Sequence, residues 1–300
     1  MDNDIISYAL YIFLNFFVYS LLIIFQVLFI YQFPLYFHII QLLLSFVCIY
    51  LLKKVKEKNS YITSSHSREN NEVKLSENEP IIKSNLMLNI GCDICKIDKI
   101  PLRSHHCDIC NKCVKCFDHH CWILGGCIGE NNKLIFLIFL FFQNCSLNWS
   151  IISLFILLKK RMNENISYLL TFYFSLACLF SIIFLFIFLY HCYLFITNQT
   201  NFELFNEDKC PYIAIYSSKK NKFLKKKKIN NNNGYNIRYR PFDIGFKKNF
   251  LLFFELLKNN NKEKRGINWE KIFYENLKNI RTNSGRTFCD KKSKKLKRFI

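Results

Sequence analysis

The stretch CDICKIDKIPLRSHHCDICNKCVKCFDHHCWILGGC, Cys92–Cys127, holds eight cysteines and four histidines in 36 residues. Zinc takes four ligands, and Cys-x2-Cys presents two thiolates to one ion from a tight turn. Such pairs stand at Cys92/Cys95, Cys107/Cys110, Cys110/Cys113 and Cys113/Cys116, so spacing alone leaves the pairing open. Two tetrahedral ions would use eight of these twelve groups, and the rest are free for other chemistry. The segment has few large apolar side chains. Bound metal therefore has to supply much of the folding free energy that a core would otherwise give.

Outward from this module the chain turns oily. Of its 300 residues 51% are hydrophobic, yet the net charge is +20, so apolar and basic parts occupy different places. Four runs carry no acidic or basic residue apart from histidine: Ile5–Phe33, Leu35–Leu52, Leu134–Leu158 and Ser167–Ile196. Each is long enough to cross about 30 Å of hydrocarbon at about 1.5 Å per residue. Buried helices of a soluble core would each show an amphipathic face, and these do not. The first run begins without a basic region and lacks a small-residue cleavage site, which argues against a signal peptide. The expected fold is a multi-pass α-helical membrane protein with four transmembrane helices and a cytosolic Cys-rich two-zinc module between helices 2 and 3.

The basic residues set orientation. Thirteen Lys and Arg lie from Lys53 to Lys133, 26 from Thr197 to the end, and three, Lys159, Lys160 and Arg161, between the last two runs. The positive-inside rule puts the module and the C-terminal tail in the cytosol. Thiols there stay reduced, so a dense cysteine cluster binds metal or reacts rather than forming disulfides. Cys48, Cys145, Cys178 and Cys192 fall in the apolar runs and read as small apolar residues.

The domains follow. Residues 1–52 are a transmembrane hairpin turned at Pro34, with spans at about 5–33 and 35–52. Residues 53–85 are a polar, flexible cytosolic linker. Residues 86–133 are the Cys/His module, and 134–196 a second hairpin with spans at about 134–158 and 167–196. Residues 197–300 are a cytosolic tail. Within it, KKNKFLKKKKINNNNG (219–234) reads as a solvated, disordered insert. Nucleic acid is not an expected partner of these lysines, since the chain sits in a bilayer. RPFDIGFKKNFLLFFELL (240–257) opens on a turn and becomes a helix that lies on the membrane or packs beneath the spans. Cys116 reads as a spare surface cysteine, and His191 as a side chain reaching for the interface.

The run Asp118-His119-His120-Cys121, with Cys-x2-Cys before it and Cys127 after it, resembles the DHHC-type protein S-acyltransferases, or palmitoyltransferases. The family pattern C-x2-C-x9-H-C-x2-C-x4-D-H-H-C-x5-C-x4-N-x3-F finds CDIC, then PLRSHHCDICNKC, DHHC, Cys127, Asn132 and Phe136 here. TNQTNFE (197–203) is similar to the family's T-T-x-E motif, and PFDIGFKKN (241–249) to its N-P-x-x-x-G-x-x-x-N motif. The resemblance implies two zinc ions, one held by Cys92, Cys95, His106 and Cys113, the other by Cys107, Cys110, His120 and Cys127. One extra residue before the His-Cys pair leaves His105 and His106 both open as the ligand; adjacency to Cys107 favours His106.

It further implies a catalytic set of Cys121 as nucleophile, His119 as base and Asp118 as orienting acid. The reaction would move a long-chain acyl group, such as palmitoyl, from acyl-CoA onto Cys121, and then to cytosolic cysteines of membrane-associated proteins. An endomembrane, Golgi or ER, is the expected site ahead of the plasma membrane. The alternative is a catalytically inactive zinc-module scaffold. A RING-type ligase is excluded, because it needs a final Cys-x2-Cys pair, and Cys121 and Cys127 are six apart. Departures from the family pattern are Trp122 and Ile123 after the DHHC run, Asn201 in the T-T-x-E segment, and Arg240 before Pro241.

Overall fold

A computed structural model describes residues 34–62, 91–122, 124–161, 166–226, 240–258 and 267–282. The expected first span, about 5–33, lies outside the described residues, as do residues 63–85 of the expected linker.

Among the described residues, three helices are long and apolar enough to cross a membrane: α1 (Leu35–Glu57), α2 (Lys133–Arg161) and α3 (Ile166–Ile196). Pro34 precedes α1 in extended backbone, where its missing N–H costs nothing. Helix α2 packs against both α1 and α3. The apolar effect cannot hold helices together in lipid, so polar contacts and close packing do so. The buried amide of Gln41 on α1 donates through Nε2 to Ser146 Oγ on α2 at 3.2 Å, and its Oε1 accepts from Ser150 Oγ at 3.4 Å. Asn144 Nδ2 donates to the Phe184 carbonyl on α3 at 3.2 Å, and Ser181 Oγ to Asn148 Oδ1 at 3.4 Å.

Between α1 and α2 the chain makes two short antiparallel hairpins. Strand β1 (His105–Cys107) pairs with β2 (Lys112–Val114), and β3 (His119–Cys121) with β4 (Gly126–Ile128). The tetrapeptide Cys-Asp-Ile-Cys occurs at 92–95 and again at 107–110, and each copy runs into a left-handed residue, Lys96 at φ 52° and Asn111 at φ 49°. That local duplication is the turn that lets two thiolates converge.

The segment expected to be a flexible linker is ordered at its start. Lys53–Glu57 prolong α1, and residues 60–62 lie alongside β2. Ile62 N donates to Cys113 O and Lys115 N to Ser60 O, both at 2.9 Å. Unpaired edge groups of β2 thereby find partners. Gly129 is needed here: a Cβ would come within 2.6 Å of the Lys115 carbonyl and 2.9 Å of Ser60 Cβ. Asn132 locks the exit, accepting from Gly129 N at 2.8 Å and donating to Val55 O at 3.1 Å and Cys127 O at 3.0 Å.

After α3 come a one-turn helix α4 (Asn201–Phe205), then α5 (Pro211–Lys226), α6 (Phe246–Lys258) and α7 (Trp269–Thr282). Thr200 and Glu203 form a reciprocal capping box on α4, Thr200 Oγ1 accepting from Glu203 N while Glu203 accepts from Thr200 N. The region expected to be disordered from 219 is helical as far as Lys226. Buried Tyr212 and Ile213 anchor the start of α5, and lysine, a good helix former, lets the helix propagate. Helix α6 follows Gly245, whose φ of 95° suits glycine. Its Phe253 is buried against Phe195 of α3, while Phe250, Leu251 and Phe254 stay exposed.

Candidate active site and metal centres

The hairpins bring the module's histidines opposite its cysteines. His106 is paired with Cys113 and His120 with Cys127. Two quartets result, Cys92/Cys95/His106/Cys113 and Cys107/Cys110/His120/Cys127, each with its ligand atoms within 4.8 Å of one another. In the first, His106 Nδ1 lies 3.3, 3.6 and 3.9 Å from the sulfurs of Cys95, Cys92 and Cys113. In the second, His120 Nδ1 lies 3.3 Å from Cys110 and 3.7 Å from Cys107 and Cys127, with Cys110 and Cys127 sulfurs 3.4 Å apart. A tetrahedron with Zn–S about 2.3 Å and Zn–N about 2.0–2.1 Å has S···N edges of about 3.5 Å and S···S edges of about 3.8 Å. Both donor sets therefore fit a four-coordinate ion.

His105 does not join a quartet. Its ring lies on Phe202 with centroids 4.0 Å apart, and its Nε2 is 3.9 Å from Cys210 Sγ. Burial pushes its pKa down to about 4, so it is neutral at physiological pH.

Strand β3 separates metal from thiol chemistry. Side chains alternate along a strand, so His119 and Cys121 share one face and His120 takes the other. His119 Nδ1 lies 2.8 Å from Asp118 Oδ2, and the Cys121 sulfur is a further hydrogen-bonding partner of the ring. Burial alone would lower His119, but the bonds to Asp118 and Cys121 outweigh it and raise it to about 9. Burial likewise disfavours a charged Asp118; Lys133 and His119 override it and hold the carboxyl well below the usual range.

Asp118 is fully enclosed and its contacts come from four segments. Lys133 Nζ at the start of α2 donates to Oδ1 at 3.0 Å, and the Asn201 N–H of α4 to the same oxygen at 3.1 Å. His191 of α3 places Nδ1 3.9 Å from Oδ2. The interface reading of His191 is thus corrected. Its side chain is buried, 5.4 Å from the His119 ring and edge-on to Phe136 at 5.0 Å. The spacing of an isolated histidine near a span end carries no sign of this, because its partners are 55 and 72 residues away or more along the chain.

Cys121 is buried in an apolar cluster that includes Cys48, Leu52 and Val55 of α1 and Ile135, Phe136, Phe139 and Leu140 of α2. The thiol thus meets the membrane-spanning helices at its back. Trp122 is exposed and edge-on to His120 at 5.3 Å, while Ile123 lies outside the described residues. Cys116, expected at the surface, is fully buried with φ 45°, in the core where the tail meets the module. Burial pushes its thiol up to about 12, which leaves it protonated and inert.

Sequence reasoning also missed Arg103. It has φ 69° and a side chain with no exposure. Its Nε and Nη2 meet Glu203 Oε1 and Oε2, both at 2.7 Å, and Nη1 and Nη2 reach Asn198 Oδ1 and O at 3.0 Å. The guanidinium stands over Phe242 at 4.2 Å and Trp269 at 4.3 Å. One side chain thus joins the module, the capped turn after α3, the segment before α6 and the start of α7. Glu130 adds a second tie, accepting from Ile267 N at 3.0 Å and Trp269 Nε1 at 2.7 Å.

Comparison with known proteins finds the family described as DHHC palmitoyltransferase over residues 89–208. Palmitoyltransferase ZDHHC17 of Danio rerio is 47% identical over 64 residues, which is 21% of this chain and 10% of that protein. Palmitoyltransferase ZDHHC15 of Xenopus laevis is 35% identical over 120 residues, 38% of this chain and 35% of that protein. The chain thus spans about a tenth to a third of the length of these relatives. The matched region contains both metal quartets, the Asp118–Cys121 run and the capped turn at Thr200–Glu203. Residues 89–208 of the chain, 120 of its 300, are thus similar to the DHHC palmitoyltransferase family.

Proposed function

We propose that this chain is a protein S-acyltransferase of the membrane, with Cys121 as nucleophile. The observation that carries the reading is the division of labour along β3. His120 faces a metal quartet, while His119 and Cys121 face the Asp118 pocket and the apolar cluster of α1 and α2. Asp118 orients the His119 ring, whose role is to take the Cys121 proton. The thiolate attacks the thioester carbonyl of a long-chain acyl-CoA, palmitoyl-CoA foremost. A new S–C bond forms, CoA leaves as a thiolate and His119 returns the proton to it. In the second step a cytosolic cysteine of a membrane-associated protein gives its proton to His119 and attacks the acyl–Cys121 thioester. Cys121 leaves, is reprotonated, and no ATP is needed.

The acyl chain is expected among the spans, at roughly 0.8 kcal/mol per buried methylene. Zinc is the ion favoured by the three-sulfur, one-nitrogen donor sets, and when bound it supplies folding free energy and a fixed backbone rather than a reacting group. We take the run at 5–33 as a fourth span, the module as cytosolic by the positive-inside count, and an endomembrane, Golgi or ER, as its location. The test is exposure of purified protein to an alkynyl palmitoyl-CoA. Hydroxylamine-labile label on the wild type, lost in Cys121→Ser, is the expected result. Equal labelling of the variant overturns the nucleophile assignment.

A further inference from the structure

Lys133 is a buried cation that the reaction just described does not use. It opens α2, and its side chain is 3% exposed. This is an unfavourable place twice over, since burial strips an ammonium of water and the N-terminal end of a helix carries positive partial charge. Such a lysine persists when a counter-charge holds it, and here Asp118 Oδ1 lies at 3.0 Å, with the Gln199 carbonyl accepting a second bond at 2.6 Å. The result is an unequal sharing of the carboxylate. Oδ1 takes Lys133 and the Asn201 N–H, while Oδ2 is left to His119 at 2.8 Å and His191 at 3.9 Å. Asp118, His119 and His191 also bring their donor atoms within 4.8 Å of one another, a spacing that suits a metal ion. Lys133 supplies the positive charge at that place from within the chain.

We propose that Lys133 is a positioning residue for acyl transfer: by engaging Oδ1 it directs Oδ2 at His119 and so fixes the ring that serves Cys121. This rests on the transferase reading above. Without the ammonium, Oδ1 keeps only the Asn201 N–H, the carboxylate is held less firmly about its Cα–Cβ and Cβ–Cγ bonds, and His119 loses a single defined partner. The charge contributes through Asp118 and touches no acyl-CoA, so its loss should lower the maximal rate and leave half-saturation alone.

The experiment measures acyl-enzyme formation on Cys121 against palmitoyl-CoA concentration, with zinc content determined for every protein. Lys133→Met should slow the maximal rate about tenfold or more at unchanged half-saturation and two zinc ions per chain, and Lys133→Arg should recover much of it. A wild-type rate in Lys133→Met overturns the inference alone. So does a raised half-saturation with unchanged maximal rate, which would make Lys133 a contact for the CoA phosphates. If Lys133→Met fails to retain zinc, Lys133→Arg is compared with Lys133→Gln, and equal rates for those two overturn the inference. Wild-type protein that forms no Cys121 adduct overturns the transferase reading and takes this inference with it.

Discussion

Arg103 and Glu203 stand a hundred positions apart in the chain and close on each other through two parallel bonds of 2.7 Å, both side chains buried. The pair fastens the metal module to the turn that follows α3, and Phe242 and Trp269 cover the guanidinium. Planar, two-pronged pairing of this kind needs arginine and a carboxylate. Removing one partner strands the other charge in the core. Glu203→Ala should therefore cost about 3–5 kcal/mol, and Arg103→Lys should recover little because an ammonium cannot fork. Thermal unfolding in detergent measures both. A drop within scatter for Glu203→Ala would show that the pair does not hold these parts together.

Metal stoichiometry separates the module's sulfurs and imidazoles into two classes. Cys92→Ala, Cys113→Ala, Cys110→Ala and Cys127→Ala should each lose about one zinc per chain, or the fold with it. His105→Ala and Cys121→Ser should keep both. The distinction between adjacent His105 and His106 is the sharpest arm, since His106 faces Cys113 across the hairpin while His105 lies on Phe202. Zinc loss in His105→Ala with retention in His106→Ala reverses the assignment.

Stability should fall on the alkaline side through His119. Its pKa is raised from 6.5 to about 9 in the folded chain, despite burial, by its bonds to Asp118 and Cys121. A raised folded value means that the stabilisation is complete below about pH 6.5 and is lost as pH rises through about 9. Deprotonation of zinc-binding thiols favours metal over the same range and acts in the opposite sense. His119→Gln should therefore lose its deficit in unfolding temperature as pH climbs from 6.5 to 9. A constant gap between wild type and variant across that range contradicts the assignment.

Asn201 stands where the family motif has threonine, and what Asp118 accepts from it is the backbone N–H. Asn201→Thr should leave acyl-enzyme formation near wild type. Asn201 is also the first residue of α4, where proline is sterically welcome, and Thr200 before it is already extended at φ −101° and ψ 156°. Asn201→Pro thus deletes one hydrogen bond to a charged group, worth roughly 1.5–3 kcal/mol, with little disturbance of the helix. Acylation should slow about tenfold relative to an Asn201→Ala control. Parity of the two variants would mean that this bond does not orient Asp118.

Much of this molecule is legible from its sequence, and for identifiable reasons. The apolar runs at 35–52, 134–158 and 167–196 reappear as helices because lipid leaves the backbone no other way to satisfy itself. The metal quartets follow from Cys-x2-Cys turns and from a family pattern dense enough to resolve their interleaving. What escaped is what long-range packing creates. Arg103 and Lys133 look like ordinary basic residues until Glu203 and Asp118 are folded onto them. Residues 60–62 look like polar linker until β2 offers them an open edge. Cys116 looks like a loop thiol until the C-terminal helices cover it. Apart from Asp118, 15 residues before Lys133, the partner lies far along the chain, and in no case does a local pattern announce it.

The central claim is that, of the two cluster sulfurs left out of both metal quartets, Cys116 and Cys121, it is Cys121 that carries the acyl group. Peptide mass mapping of protein reacted with palmitoyl-CoA, alongside its zinc content, tests this in one sample. The account predicts a hydroxylamine-labile palmitoyl adduct on the peptide bearing Cys121, with two zinc ions still bound per chain. An adduct on another cysteine of the cluster, or ejection of an ion as Cys121 is acylated, would contradict it.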